Sequence, residues 1–466
     1  QTGGTLELRG RLQRTPNVFG SVSDLVNAPL NTNRISASLD GSRGTFNLNA
    51  AANVFNMSGG TIRIFDVCGA SNRVVEINSA QGNIAVSGGT FELMPMTGTV
   101  EADAPTHIIS STAPFYNLTM NRASSTTTVS LENYPLNVLN NLNLVSGDFI
   151  TNNFNVSVGG NMLVLNTASY TPGLNWTIFN GNGNQQFQIN TSAAFSVKKL
   201  RVDKPAGTLL ALAGSQMTLY AYDSVIINSC TLHDGGKSLV IGPSTTSTTS
   251  YLYNSGVHTG TGKIVLADDD PQIIDGDGNG IFGNLELNNT DALAAPVSLA
   301  NNITINGTLT FSQDKLLNIG SWNLKLASTA TVANASATRY ILTAGNLGDR
   351  GITKIFSAAS PSFVFPLGTS SVMHATPEFT PASIAVNGTP SAWGSVTVVP
   401  VGYEHPATTT KNRSLTYFWN VTSSGFTLGS ATVTHGYTYS QNDVITGADI
   451  TEDGYVAARY EPALAA

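Results

Sequence analysis

Charged side chains are scarce in this 466-residue chain, making up 11% of it against about 25% in an average soluble domain. The formal net charge is −7, and the 22 Lys and Arg residues are scattered rather than gathered in a stripe. That excludes nucleic acid as a partner, because phosphate neutralisation needs a basic face. Cysteine is rarer still: only Cys68 and Cys230 occur, too few for a disulfide framework. No run of 18 or more residues is apolar throughout, so no transmembrane helix is expected. The N-terminus lacks the charged-then-apolar layout of a signal peptide, so Gln1 reads as a mature or trimmed end. Helical periodicity is missing as well, since no long window places apolar residues at i, i+3, i+4 and i+7.

Short alternating runs fill the chain instead. "TLELRG", "TIRIFDV", "NVSVGG", "KIVLAD", "LELNN" and "ASIAVNG" read as strands bounded by Gly, Asn or Asp, so the fold class is all-β. A short unit, Gly-Thr-apolar, recurs at Gly4-Thr5-Leu6, Gly44-Thr45-Phe46, Gly60-Thr61-Ile62 and Gly89-Thr90-Phe91. A longer unit places Phe115, Phe195 and Phe282 at spacings of 80 and 87 residues, each followed by a strand ladder such as "LNVLNNLNLVSGDF". Such repeats suit either a string of sandwich domains or the coils of a parallel β-solenoid (β-helix). No Trp or Tyr anchor and no linker recurs with them, whereas short apolar strands with Gly or Asn corners are what solenoid coils need. The solenoid is therefore the expected body. With roughly 20 to 25 residues per coil and about 4.8 Å per rung, residues 1–355 would stack to about 70 to 85 Å. Cys68 and Cys230 would then lie too far apart to bridge, leaving two free thiols.

At "SAASPSFVFPLG" the composition shifts, and Pro, Trp, Tyr and His become frequent. The long alternating runs that follow, with Tyr417, Trp419 and Tyr437 as core anchors, read as a C-terminal β-sandwich. The expected division is residues 1–100 with the Gly-Thr cassettes, 101–355 with the three longer repeats, and 356–466 as the sandwich.

"QQFQIN", "FSVKKLRVDKPAG", "FVFPLGTSS", "FTPASIAV", "RSLTYFWNVTSSG", "ATVTHGYTYSQNDV" and "EDGYVAARYE" resemble the repetitive cell-surface proteins of Bacteroidetes. The resemblance implies a solenoid body followed by a sandwich, export by the type IX secretion system, and an extracellular, adhesin-like or fibre-forming role at the cell surface. The chain ends at "EPALAA" without the sorting domain that often follows in that group, which leaves anchoring open.

"DGDGNGIFGNLEL" places Asp275, Asp277, Asn279, Gly280 and Glu286 in the spacing of a calcium loop. Its flanks read as strands rather than helices, so an EF-hand is excluded. A structural calcium site in a strand-flanked loop, aided by Asp268, Asp269 and Asp270, stands beside an ordinary turn, which the sister corner "NGNGNQQ" forms without carboxylates. Trp176, Tyr251, Tyr253 and Trp322 are candidates for stacking on sugars, or for filling core and corners. A glycan-processing β-helix enzyme, a lyase or hydrolase built on paired acids or on an Arg and Lys in a groove, is the alternative function. Against it, Asp103 matches the acid cluster in the first repeat, the six histidines are dispersed without metal spacing, and no G-x-S-x-G elbow occurs. The expectation is a non-catalytic structural or adhesive surface protein. Leu6 and Leu8, on the first strand, would offer an open edge for head-to-tail self-association, with other surface proteins or glycans as further partners.

Overall fold

The computed structural model describes residues 1–8, 12–14, 46–65, 73–94, 106–122, 127–243, 249–370, 376–410, 412–445, 447, 450–456 and 458–460. Strands make up 54% and helix 2%, so the chain is all-β, and its coils pair in parallel as a β-solenoid. It divides into two compact units. One comprises Gln1–Val240 with Gly260–Gly262, the other Ile241–Thr259 with Lys263–Ala466, a division that falls inside the expected 101–355 segment.

In the first unit the Gly-Thr cassettes are stacked corners. Thr5 pairs in register with Thr61, and Thr61 with Thr90, so motifs 56 and 29 residues apart meet on neighbouring strands. Ile62 and Phe91 turn inward and are buried. Gly60 adopts φ +75°, and a Cβ there would sit 2.7 Å from the carbonyl oxygen of Gly4. Backbone conformation and stacking distance both demand glycine. Gly44 and Thr45 of the remaining cassette lie outside the described residues, and its Phe46 pairs with Val75 in a second parallel ladder.

Further along, Leu142, Met162, Phe187 and Leu212 are successive partners at intervals of 20, 25 and 25 residues. A second ladder runs through Leu136, Val156, Thr177, Leu200 and Val225. Alternation along each strand sends every second side chain inward, and Leu142, Met162, Phe187, Leu200 and Val225 are all fully buried. The rings of Phe179, Phe187 and Phe195 follow one another at 5.0 and 5.7 Å, forming an aromatic core. Phe115 and Phe282 are buried too.

Corners explain the Asn-rich composition. The Asn117 Oδ1 accepts from Asn141 N (3.2 Å), Asn141 Oδ1 from Asn161 N (2.9 Å) and Asn161 Oδ1 from Gln186 N (2.8 Å). Each amide oxygen thus satisfies a backbone N–H one coil on, where strand pairing is interrupted. Buried amines do the complementary work on corner carbonyls. Lys204 Nζ donates to the carbonyls of Gly181 (2.8 Å) and Gly183 (2.7 Å), and Lys237 Nζ to that of Gly214 (2.6 Å). In the second unit Lys354 Nζ donates to Ala327, Ser328 and Ala330 at 2.7, 2.9 and 2.6 Å.

At the end of the second unit the pairing turns antiparallel. Ile352–Ile355 pairs antiparallel with Ser395–Val401, which pairs antiparallel with Phe418–Ser424. Leu367–Thr369 runs parallel to Ile341–Thr343 and antiparallel to Glu378–Phe379. Ser362–Phe365, Ala382–Asn387 and Thr432–Tyr437 make a three-stranded antiparallel sheet. Two of these strand sets therefore extend the sheets of the last coil, and a free-standing sandwich beginning at residue 356 is not established. The physical reason is the bare strand edge of a last coil, which needs partners for its N–H and C=O groups. Among the expected anchors, Tyr417 is buried, while Tyr437 is 40% exposed. Trp419 lies between their rings at 5.2 and 4.8 Å and donates from Nε1 to Thr380 O at 3.0 Å.

Cys230 is a free, buried thiol, and burial raises its pKa; Cys68 lies outside the described residues. A Cys68→Ser variant is expected to react with a thiol reagent only after denaturation, since burial denies both access and the thiolate. Prompt labelling of the native protein would show that Cys230 is reachable.

Tyr170 is buried, with its hydroxyl 2.8 Å from Thr177 Oγ1, and burial pushes its pKa up to about 12. An unfolded tyrosine titrates near 10, so the stability tied to this group is present below pH 10 and lost as pH rises towards 12. Between those values the wild type is expected to lose roughly 2–3 kcal/mol more than Tyr170→Phe, at about 1.4 kcal/mol per pH unit. Parallel urea titrations with identical losses would contradict this.

Candidate functional site

Asp275 ends the strand Gln272–Asp275, and its carboxylate accepts from Tyr251 Oη (2.7 Å) and Gly276 N (2.7 Å). Asp277 accepts from the backbone N of Asn279 at 2.9 Å and from its side-chain amide at 3.2 Å, as in an ordinary Asx turn. Glu286, on Leu285–Leu287, is engaged by Lys263 and by Ser312 Oγ. Burial would raise its carboxyl, but the hydrogen bonds from Lys263 and Ser312 and the charge of Lys263 hold it below its ordinary value. Asp275, Asp277 and Glu286 do not converge as a set of three acids among the described residues. Among the described residues, the acids that do converge within 4.8 Å of one another are Asp268, Asp269 and Asp270.

The four aromatic candidates are half-buried. Tyr251 and Tyr253 stack at 6.4 Å with rings 24° apart. Burial, followed by the Asp275 hydrogen bond and charge, raises the Tyr251 hydroxyl pKa. Trp176 carries the Lys199 ammonium 5.6 Å from its ring centroid, so that face is already occupied by a cation. Trp322 lies in a turn, with its backbone N bonded to Ile319 O. Leu6 is half-buried on Thr5–Leu8, a strand in register with Phe55–Phe65, and the side chain of Leu8 lies outside the described residues. His107 and His258 are core residues, the latter accepting from Gly283 N at 3.2 Å; Asp103 and His374 lie outside the described residues.

A site that the sequence did not point to lies on the outward face of the second unit. Ile281, Thr304, Lys325, Thr353, Thr397 and Thr422 are successive register partners across six strands. Alternation sends their neighbours Phe282, Ile305, Leu324, Ile352 and Val398 into the core, which fixes this row to the opposite face. Beside the row run Asn302, Asn323, Arg350 and Asn420, and together they line a groove of about 630 Å³. Five strand spacings of about 4.8 Å give the row a length of about 24 Å.

Part of this wall is rigidly held. The Asn323 amide donates to Arg350 O, Gly351 O and Thr353 Oγ1 at 2.9, 3.0 and 2.9 Å. Thr353 and Thr397 share a hydroxyl bond of 2.8 Å, and Asn302 Oδ1 accepts from Asn323 N at 2.9 Å. Among the described residues, the side chains of Thr304, Lys325, Arg350, Asn420 and Thr422 have no hydrogen-bond or ion-pair partner, leaving their donors available. Asp349 is the carboxylate of the groove, and it accepts from Asn346 N at 2.9 Å. The arrangement offers hydroxyls, amides and two cations along a line, a surface suited to an extended polar ligand.

Comparison of the chain with protein-family models, curated proteins and solved structures gives no match.

Proposed function

We propose that this chain is an extracellular structural or adhesive surface protein, and that the second unit holds an extended polar chain in its groove without transforming it. The observation that carries the reading is the six-strand row of outward side chains, fixed by strand register. General acid–base cleavage of a glycan calls for paired acids or a comparable proton-transfer set placed at one bond. Among the described residues the groove lining has one carboxylate, Asp349, and no histidine, while Lys325 and Arg350 are the basic groups that a lyase would use. The resemblance to repetitive Bacteroidetes surface proteins, with export by type IX secretion, agrees with the low charge and hydroxyl-rich composition. Association through the Thr5–Leu8 edge belongs to the same proposal: a Leu6→Pro, Leu8→Lys variant is expected to lose any assemblies that the wild type forms.

The test is to incubate the protein with a panel of soluble and insoluble polysaccharides, measuring retention together with new reducing ends and unsaturated products. Retention without product release is expected. Release proportional to protein concentration and sustained over many turnovers would overturn the reading in favour of a glycan-processing β-helix enzyme.

A further inference from the structure

We propose that the groove selects an anionic glycan, a chain bearing uronate-type carboxylates, with Lys325 and Arg350 as the groups that recognise its charge. This inference rests on the reading of the groove as a chain-binding surface and assigns that surface a ligand class.

The first argument concerns where cations are spent elsewhere. Arg63 meets Glu7 and Glu92, Arg73 meets Glu76 and Glu132, and Arg201 meets Asp203. Lys263 is engaged with Glu286 and Arg339 with Asp314. Lys204, Lys237 and Lys354 are bound to corner carbonyls. Against this pattern Lys325 and Arg350 have exposed, unengaged charged groups, and both line the same concavity. A single unpaired surface cation is ordinary. Two cations facing one groove outnumber its carboxylate, Asp349, among the described lining residues, which leaves this surface locally positive in a chain of net charge −7.

The second argument concerns what surrounds them. Thr304, Thr422 and Asn420 supply neutral donors and acceptors that match sugar hydroxyls. Among the described residues no aromatic ring lines the groove, so neither base stacking nor the stacking of a neutral sugar face is provided by them. A planar guanidinium suits a carboxylate in bidentate geometry, and a lysine ammonium adds a mobile point charge. Charge with hydroxyls and without stacking favours an acidic glycan over nucleic acid or a neutral glycan.

Affinity electrophoresis and calorimetry with the full chain test this, using polygalacturonate, dextran and single-stranded DNA as probes. Polygalacturonate is expected to bind and to weaken with added salt. A Lys325→Glu, Arg350→Glu variant should lose at least tenfold in affinity, while Lys325→Arg retains most of it. Circular dichroism and the thermal midpoint establish that each variant is folded, and Lys325→Ala with Arg350→Ala serves if the charge reversal does not fold. Binding of dextran, unchanged by the charge reversal, would overturn the anionic assignment yet leave the groove reading standing. Equal binding of DNA would overturn the glycan assignment. If none of the probes binds, and the panel of polysaccharides also gives no retention, both readings fail.

Discussion

Replacing Lys354 by methionine is expected to lower the unfolding free energy by about 1–3 kcal/mol, the cost of leaving buried acceptors without a donor. Lys354 has no exposed surface, and its ammonium holds three carbonyls of the Ala327–Ala330 corner, while Phe363 lies 5.1 Å away. Methionine keeps the length and packing but takes this donor from the carbonyls of Ser328 and Ala330, while Ala327 O still accepts from Ala330 N at 3.1 Å. Burial pushes the amine pKa from 10.5 down to about 8, and the three carbonyl bonds oppose that displacement because they favour the charged form. For a base with a lowered pKa, the unfolded chain binds more protons between the two values. Wild-type stability therefore rises with pH from about 8 towards 10.5, and the methionine variant lacks this rise. Urea midpoints at pH 7 and pH 9.5 check both statements. A loss below about 1 kcal/mol at pH 7 would mean that the corner carbonyls find other donors.

A larger loss, about 3–5 kcal/mol, is expected for Phe187→Ala. Phe187 has no exposed surface, its neighbours above and below are Met162 and Leu212, and the rings of Phe179 and Phe195 flank it. Parallel coils hold the surrounding strands at fixed spacing, so the cavity cannot collapse readily and the ring–ring contacts are forfeited as well. Gln186, one residue earlier on the same strand and exposed, is the matched control: Gln186→Ala is expected to stay within about 0.5 kcal/mol. Similar midpoints for the two variants would contradict the inward and outward assignment of this strand.

Spacing along the chain does not decide which side chains meet. Asp275 and Glu286 sit at motif distance, yet they lie on strands of different ladders, and each takes a partner from an adjacent coil, Tyr251 in one case and Lys263 and Ser312 in the other. The candidates for sugar stacking are half-buried, and a ring such as Trp176 has its face covered by Lys199, from a strand 23 residues on. In the second unit the groove was hidden for the same reason. Strands such as "ITI" and "LKL" each present one outward side chain, and nothing local distinguishes Thr304 or Lys325 from other alternating polar positions.

The sequence by itself determined the all-β class, the inward and outward alternation, and the stacked corners, because these follow from period-two patterning and from glycine and asparagine at positions where few other residues fit. Only the tertiary structure decided which outward residues share a row. The intervals joining Ile281, Thr304, Lys325, Thr353 and Thr397 are 23, 21, 28 and 44 residues, and a slip of one residue would turn a side chain to the other face. Coil length, set by how each corner satisfies its backbone groups, therefore selected the members of the groove. The antiparallel turn at Ile352–Ile355 was decided in the same way, because the last parallel strand needed a partner and the strands beyond residue 356 supplied it.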